Sequence, residues 1–516
     1  MRITQVLVLL GMLILVTACG AESPPAGDTA ASPYKIEEVS LGPIPSRSIE
    51  TIISEDGCHM AFVVIKGDKF CVVIDGQSGP EYEGGIFGLV FSPDWKRAAH
   101  VTALTAMGEK FCVVIDGQAG PEYDRIGAGS LQFSPDGKRL AYAASKGHMR
   151  HFVVTDGQEG PEYDGIGAGS LRFSPDGKRV AYAAFRAVYG APGGGKWFVV
   201  IDGQAGSEYD EIVKGSLAFN PDGKRVSYVA QKGDKWLVVL ENQDGPEYDG
   251  ILEGTPVFSP DGKRVAYGAA KGDQWCVVID GEAGPTYDGI TEGSLVFSPD
   301  GKQVMYAAQK GNKGFAVIDG QAGPEYDGIA AARLQFDPNR GRPAFVLQMG
   351  KKWNNASFRP VRPTHLGVPG KSFVFSPDGK RVMYAARKGD KWIVILDGQA
   401  GPEYDEILEG VPVFSPDGKR VAYGAGKGGK RFVVLDGQEG TMYDGVRNLV
   451  FSPNGKQMAY RAQKAAKFFV VIDGQPVPDY DGVLISGSAF RPDGTLEYLA
   501  GKAGTLFRVK HVPVEK

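Results

Sequence analysis

Between Gly169 and Asp210 apolar and polar positions alternate in a way that returns along nearly the whole chain. "GSLRF" (169–173) separates Leu171 from Phe173 by one residue, the period of a half-buried strand. "SPDG" (174–177) then supplies a type I turn, with Ser first, Pro presetting φ second and Gly last. "KRVAYAA" (178–184) predicts a second strand, with Val180, Tyr182 and Ala184 on one side and Ala181 and Ala183 on the other. "WFVVID" (197–202) is apolar on both sides, so this third strand must be covered on both faces. "KGDKW" (232–236, in the following copy) reads as the tight turn between the second and third strands. "DGQAG" (202–206) turns again and "EYD" (208–210) is a short fourth strand. Alternation of turns puts "SPDG" and "DGQxG" on one rim, and "KGDK" and "DGIxxGS" on the other.

The phenylalanine of this pattern recurs at 91, 133, 173, 219, 258, 297, 336, 375, 414, 451 and 490, mostly 39 residues apart. A degenerate first copy, "IISEDG" (52–57), makes twelve units. A period near 40 signals a solenoid, a propeller or an array. Four antiparallel strands per unit, the inner ones covered on both faces, describe propeller blades packed between neighbours. Pro, Glu and Asp in the fourth strand ("GPEYDG") suit an outer edge protected against aggregation.

F-S-P-D-G-K-R-x-A-Y followed by an x-V-V-x-D strand resembles the TolB-type, WD-repeat-like β-propeller repeat of bacterial envelope proteins. The resemblance covers residues 33–512, and "FSPDG" is intact in six copies. It departs as FSPDW at 91, FNPDG at 219, FDPNR at 336, FSPNG at 451 and FRPDG at 490. The fold it implies is all-β: twelve four-stranded repeats of about 39 residues. Twelve exceeds the usual ring of about four to eight blades, which favours two rings, six and six, with a boundary near 290–336. One large ring is the alternative, because the spacing runs through the middle with no linker. The family spans binding scaffolds and the propellers of some peptidases, so the fold constrains function weakly. The last unit lacks "GPEYDG", and "SPYKIEE" (32–38) carries Pro33 and Tyr34 at the missing spacing. Residues 33–39 are therefore expected to supply the outer strand of the final blade.

At the N-terminus an apolar run from Val6 to Val16 follows Arg2 and is too short to span a bilayer. Val16-Thr17-Ala18-Cys19 resembles the lipobox of bacterial lipoproteins, which implies that 1–18 is a signal peptide and that Cys19 carries the lipid. Residues 19–32, small, polar and Pro-rich, read as a flexible tether. Gly20 after the cysteine resembles the outer-membrane sorting pattern of a Gram-negative host. The expected place is the cell envelope, on its periplasmic or surface side.

Net charge is −4 over 516 residues with both signs interspersed, so no nucleic-acid partner is expected. Cys71, Cys112 and Cys276 stand where other copies carry Phe, Ile or Leu; with Cys58 they read as small core residues rather than disulfides. No C-x-x-C spacing or calcium-loop motif occurs, and neither a metal nor a cofactor is expected.

An active site is one constellation made once, whereas Asp136, Asp176, Asp222, Asp261, Asp300, Asp378 and Asp417 occupy one repeated turn position. They read as structural. The aromatics opening the third strand, such as Trp197, Trp236, Trp275 and Trp392, read as packing rather than as stacking platforms. Function is better sought where the repeat breaks. "FRAVYGAPGGGK" (185–196) inserts a Gly-rich hairpin whose Phe185 and Tyr189 are candidate partner contacts. The degenerate unit 336–374 offers Arg359, Arg362 and His365 as a candidate anion patch. His148 and His151 are too few for a metal site. No G-x-S-x-G elbow and no non-repeated carboxylate pair supports an enzyme. The expectation is a binding or assembly scaffold for an envelope protein or extracellular polymer, with a propeller hydrolase of glycans or peptides as the alternative.

Overall fold

The computed structural model describes residues 34–514, except 46–47, 105–108, 148–149, 189–193, 326–327, 330–333, 337–342, 350–351, 357–373, 379, 389, 409–411 and 486–488. Every regular element among the described residues is a β-strand, and the strands form twelve antiparallel sheets, one per repeat. The protein is a β-propeller of four-stranded repeats.

The fourth repeat shows how the sequence builds a sheet. Its second strand, Val180–Ala187, pairs with Gly195–Ile201, which pairs with the outer Gln204–Ala205. The inner strand differs from the sequence expectation: it is two pieces, Gly165–Ile166 and Arg172–Phe173, both paired with Val180–Ala187. "DGIxxGS" is therefore not a rim turn but begins the inner strand and bulges in its middle. The serine explains why the ladder tolerates the break. Ser170 Oγ donates to Gly167 O (2.7 Å) and accepts the Ala183 N–H (3.0 Å), standing in for a missing backbone partner. Ser130, Ser216 and Ser294 do the same in their repeats.

Successive sheets pack face to face through alternating side chains. Ala141 and Val153 of one sheet meet Tyr163, Leu171, Val180, Tyr182, Ala184, Phe198 and Val200 in a single cluster. Fully burying each large apolar side chain is worth about 1.5–3 kcal/mol, and the small Ala141 lets the next sheet approach. Several interfaces also carry an edge-to-face tyrosine pair, such as Tyr163–Tyr182 (6.3 Å) and Tyr209–Tyr228 (5.9 Å). All four described cysteines are buried and free.

The chain divides into two compact units, Met1–Glu81 with Thr364–Lys516, and Tyr82–Pro363. The first holds five sheets and the second seven. In the first, Tyr34–Pro43 pairs with Thr505–Pro513, from Tyr34 opposite Pro513 to Pro43 opposite Thr505. The last sheet thus takes its outer strand from the N-terminal segment, as the missing "GPEYDG" predicts, though the strand runs on to Pro43. Tyr480 Oη donates to Glu38 Oε1 (2.5 Å) across the same edge. The degenerate unit keeps paired strands Gln335–Phe336, Pro343–Met349 and Lys352–Ala356.

Candidate functional site

Ser174 Oγ donates to Asp176 Oδ1 (2.6 Å) and accepts the Arg179 N–H (2.9 Å); Asp176 Oδ1 also accepts the Lys178 N–H (3.2 Å). Asp136, Asp261, Asp300, Asp378 and Asp417 make the same serine and lysine contacts in their own turns. The serine hydroxyl first, then the lysine N–H, holds each carboxyl below the usual range. Gly177 adopts φ +72°, and a Cβ there would come within 2.8 Å of Asp136 Oδ1 of the preceding repeat. The turn sequence is thus set by backbone geometry and by a close approach between sheets.

Where an arginine follows the turn, it ties its sheet to the next. Arg179 Nε donates to Asp202 Oδ2 (2.9 Å), joining "SPDGKR" to "DGQ" on one rim. Its Nη1 reaches Lys224 O of the following repeat (2.5 Å), and the guanidinium lies over Phe219 (5.6 Å). Arg97, Arg139, Arg264, Arg381 and Arg420 repeat this clamp. Asp202 occupies φ +51° with Gly203 at +82°, the pair a two-residue hairpin turn requires. On the other rim the "EYD" aspartates form a second clamp. Asp210 accepts Lys196 Nζ (2.6 Å) from its own sheet and the Gly233 N–H (2.8 Å) from the next. Asp249 and Asp405 likewise take the Gly272 and Gly428 N–H groups.

One interface departs from this scheme: where the last sheet meets the first, within the first unit. Leu496–Lys502 carries Glu497 at the register place of Ala141 and Ala181, and Thr505–Pro513 carries Arg508 and Lys510 where Val199 and Ile201 stand in the fourth repeat. The first sheet meets them with Asp56, Cys58, His59 and Asp75. Arg508 donates from Nε to Cys58 O (2.7 Å) and from Nη2 to Asp75 Oδ2 (2.7 Å). His59 Nδ1 lies 2.6 Å from the same carboxylate oxygen. Arg491 bridges Glu497 (3.1 Å) and Asp56 (3.0 Å), and Lys510 stands 3.6 Å from Glu497. Burial works to raise the Asp75 carboxyl, but His59, the Met60 N–H and Arg508 outweigh it and hold the group low. Cys58 is fully buried, and burial with Glu497 and Asp56 nearby pushes its thiol up to about 12. It is not a thiolate nucleophile at neutral pH. The signal for this seam was in the sequence: "TLEYLAG" and "LFRVKHV" put charge where sister repeats read "RVAYAA" and "WFVVID".

Of the residues singled out from the sequence, Phe185 is half-buried at the end of its strand, with its ring 5.1 Å from Trp197. Cys19, Tyr189, His148, Arg359, Arg362 and His365 lie outside the described residues. Trp236 and Trp275 are half-buried and pack on clusters that include the next sheet, with Tyr267 and with Leu295 respectively. His151 sits in a backbone bridge to Tyr163. Among the described residues no three His, Cys, Asp or Glu side chains gather to hold a metal ion.

No protein-family model and no curated protein matches the sequence. Solved structures do. A eukaryotic initiation factor is 14% identical over 75% of this chain and 91% of its own, with a TM-score of 0.34. The β-propeller domain of the trilobed protease from Pyrococcus furiosus, described as having an open velcro topology, is 16% identical over 60% and 93%, with a TM-score of 0.25. The Cps50 (Swd1) β-propeller domain of Myceliophteria thermophila is 14% identical over 52% and 98%, with a TM-score of 0.22.

Proposed function

We propose that the chain is a lipid-anchored, extracytoplasmic β-propeller of the bacterial cell envelope that binds or assembles another envelope protein or an extracellular polymer. The observation that carries this reading is the use made of the repeated charges. Turn aspartates, arginines and "EYD" aspartates are engaged in hydrogen bonds within and between sheets, so the recurrent motif acts as a frame. Outward, repeat after repeat presents an exposed edge of the same kind: Gln118–Tyr123, Gln243–Tyr248 and Gln399–Tyr404 share one pattern in which only the tyrosine is buried. The Val16-Thr17-Ala18-Cys19 sequence, the tether after it and the likeness of the repeat to the TolB type support the envelope placement.

The test is a capture experiment from envelope extract with a form lacking residues 1–19, run beside a panel of glycan and peptide hydrolase substrates. A stable partner without turnover supports the scaffold. Turnover abolished by one carboxylate substitution in a folded protein would replace it with the hydrolase. Cys19→Ala is expected to release the full-length protein from membranes, since lipid chains supply the anchoring energy. Unchanged membrane retention would contradict the anchor.

A further inference from the structure

Strand Met458–Lys464 carries Arg461 at the position held by Ala143, Ala183, Gly268, Ala307 and Gly424 in other repeats, ten residues after the marker phenylalanine. Directly opposite it in the ladder, on the inner strand Gly445–Phe451, stands Arg447. Two arginines in register share one face of the sheet with Cβ atoms about 5 Å apart, an arrangement that repels. The guanidinium of Arg461 lies 4.4 Å from the centre of the Phe468 ring, and the residue is half-buried while Arg447 is exposed. Beside them is Val470, part of the cluster that joins this sheet to the last one.

Neither arginine has a carboxylate or a hydrogen-bond partner among the described residues. The other arginines with described side chains in this unit do: Arg381 with Asp397, Arg420 with Asp436, Arg431 with Glu406, Arg491 with Asp56 and Arg508 with Asp75. Asp444 is committed to Lys430 and the Ala465 N–H, and Asp481 to Lys467 and the Ala503 N–H. Burial, with Arg447 adding to it, pushes Arg461 below the usual arginine value, and no acid offsets the shift. The inner strand is also reshaped here. It lacks the Gly-x-Gly-Ser bulge; Asn448 takes φ +57° and its amide donates to Ile485 O of the next sheet (2.7 Å). Arg447 is therefore the last paired residue before a break in the ladder, which resumes at Val450–Phe451.

We propose that Arg447 and Arg461 form a binding site for an oxyanion, a carboxylate or phosphate group of the ligand, stacked against Phe468. Guanidinium groups present paired N–H donors that fit two acceptor oxygens, and an anion between them converts a repulsive pair into a charge-assisted one. The position is otherwise Ala or Gly in most repeats, so the folding of the sheet does not call for a cation there. The site deepens the binding-scaffold reading by naming the ligand chemistry. Failure of the anion test would remove this ligand chemistry and leave the membrane anchor and the capture result as they stand.

The experiment uses the full-length protein in detergent, titrated with millimolar inorganic phosphate or citrate against chloride at constant ionic strength. Thermal shift and calorimetry are the readouts. At least one anion should raise the melting temperature saturably, as a ligand of the native state does. Arg461→Gln and Arg447→Gln should each weaken that binding roughly tenfold to a hundredfold, the range for losing charge-assisted hydrogen bonds. Arg461→Lys should recover part of it. A larger effect with phosphate assigns a phosphate-bearing ligand, and a larger effect with citrate a carboxylate-bearing one. In chloride alone Arg461→Gln should melt at or above the wild-type temperature, because a like-charge pair is relieved. An anion response equal in wild type and both Gln variants, or none in wild type, overturns the site. So does an Arg461→Gln protein that melts lower in chloride and keeps its anion response, which would make the arginine a packing residue for Phe468.

Discussion

Arg508→Val restores the residue type that the fourth repeat carries at Val199, yet it should destabilise the protein. The reason lies in what stays behind. Asp75 loses the Nη2 donor at 2.7 Å, Cys58 O loses the Nε donor at 2.7 Å, and Glu497, only 7% exposed, loses a cation 3.7 Å away. Removing one partner of a buried ion pair typically costs about 3–5 kcal/mol. Here the Arg508 and Asp75 side chains are 19% and 21% exposed, and Asp75 keeps His59 and the Met60 N–H. The loss should therefore fall to about 2–3 kcal/mol. For a cooperative unit of roughly 200 residues, at about 2.1 cal/mol/K per residue, that is a fall of about 5–7 °C in Tm. Differential scanning calorimetry reads it directly. Lys263→Met is the control, because its pair with Asp261 is 81% and 44% exposed and should change stability by less than about 0.5 kcal/mol. The sharper arm is Glu497→Ala, Arg508→Val and Lys510→Ile together. Removing three charges with their mutual desolvation should recover more than half of the single-mutant loss. If Arg508→Val melts with wild type, or the triple variant is worse than the single one, the seam is not held by these charges.

Further tests follow from the same geometry. Arg264→Met removes the Asp280 contact at 2.8 Å and the Lys302 O contact at 2.6 Å, and should cost about 1–2 kcal/mol in urea unfolding; no loss would show that the clamp is decorative. His100 and His511 are 7% and 0% exposed, and burial pushes both down to about 4 from 6.5. Their neutral forms are favoured in the fold, so each contributes stability that is full above pH 6.5 and lost as pH falls toward 4, about 2 kcal/mol of it by pH 5. His100→Tyr, the residue sister repeats use, should flatten the fall between pH 6.5 and 4.5, and an unchanged slope would refute the assignment. Deleting 34–43 strips the last sheet of its outer strand and exposes the ladder of Thr505–Pro513; calorimetry should show a lower Tm, and an unaltered trace would contradict closure by that strand.

The repeat was legible because its punctuation is local. Ser-Pro-Asp-Gly and Asp-Gly encode their turns within four residues, and "FVVI" declares burial on both faces without any partner being known. The split inner strand was not legible. "DGIGAGSL" has turn chemistry throughout, and only in three dimensions does Ser170 Oγ take the place of a ladder partner for the Ala183 N–H. Nor could the clamp be read, since Arg179 meets Lys224 O 45 residues on, at a contact made only when two sheets face each other. The charged seam and the Arg447–Arg461 pair lie between these cases. Both are visible once repeats are aligned, as Glu497 for Ala and Arg461 for Ala or Gly, but charge within one repeat reads as solvated surface until the register shows which face it occupies.

The central claim is that the recurrent aspartates shape and join sheets. It is tested most directly by substituting Asp136, Asp176, Asp261, Asp300, Asp378 and Asp417 to Asn one at a time, and measuring stability and partner capture on the same samples. Each should lose about 1 kcal/mol or less, because Ser Oγ and the lysine N–H keep a weaker acceptor, and capture per folded molecule should stay at the wild-type level. A single substitution that abolishes capture or a measured turnover while the melting curve is unchanged would contradict the account.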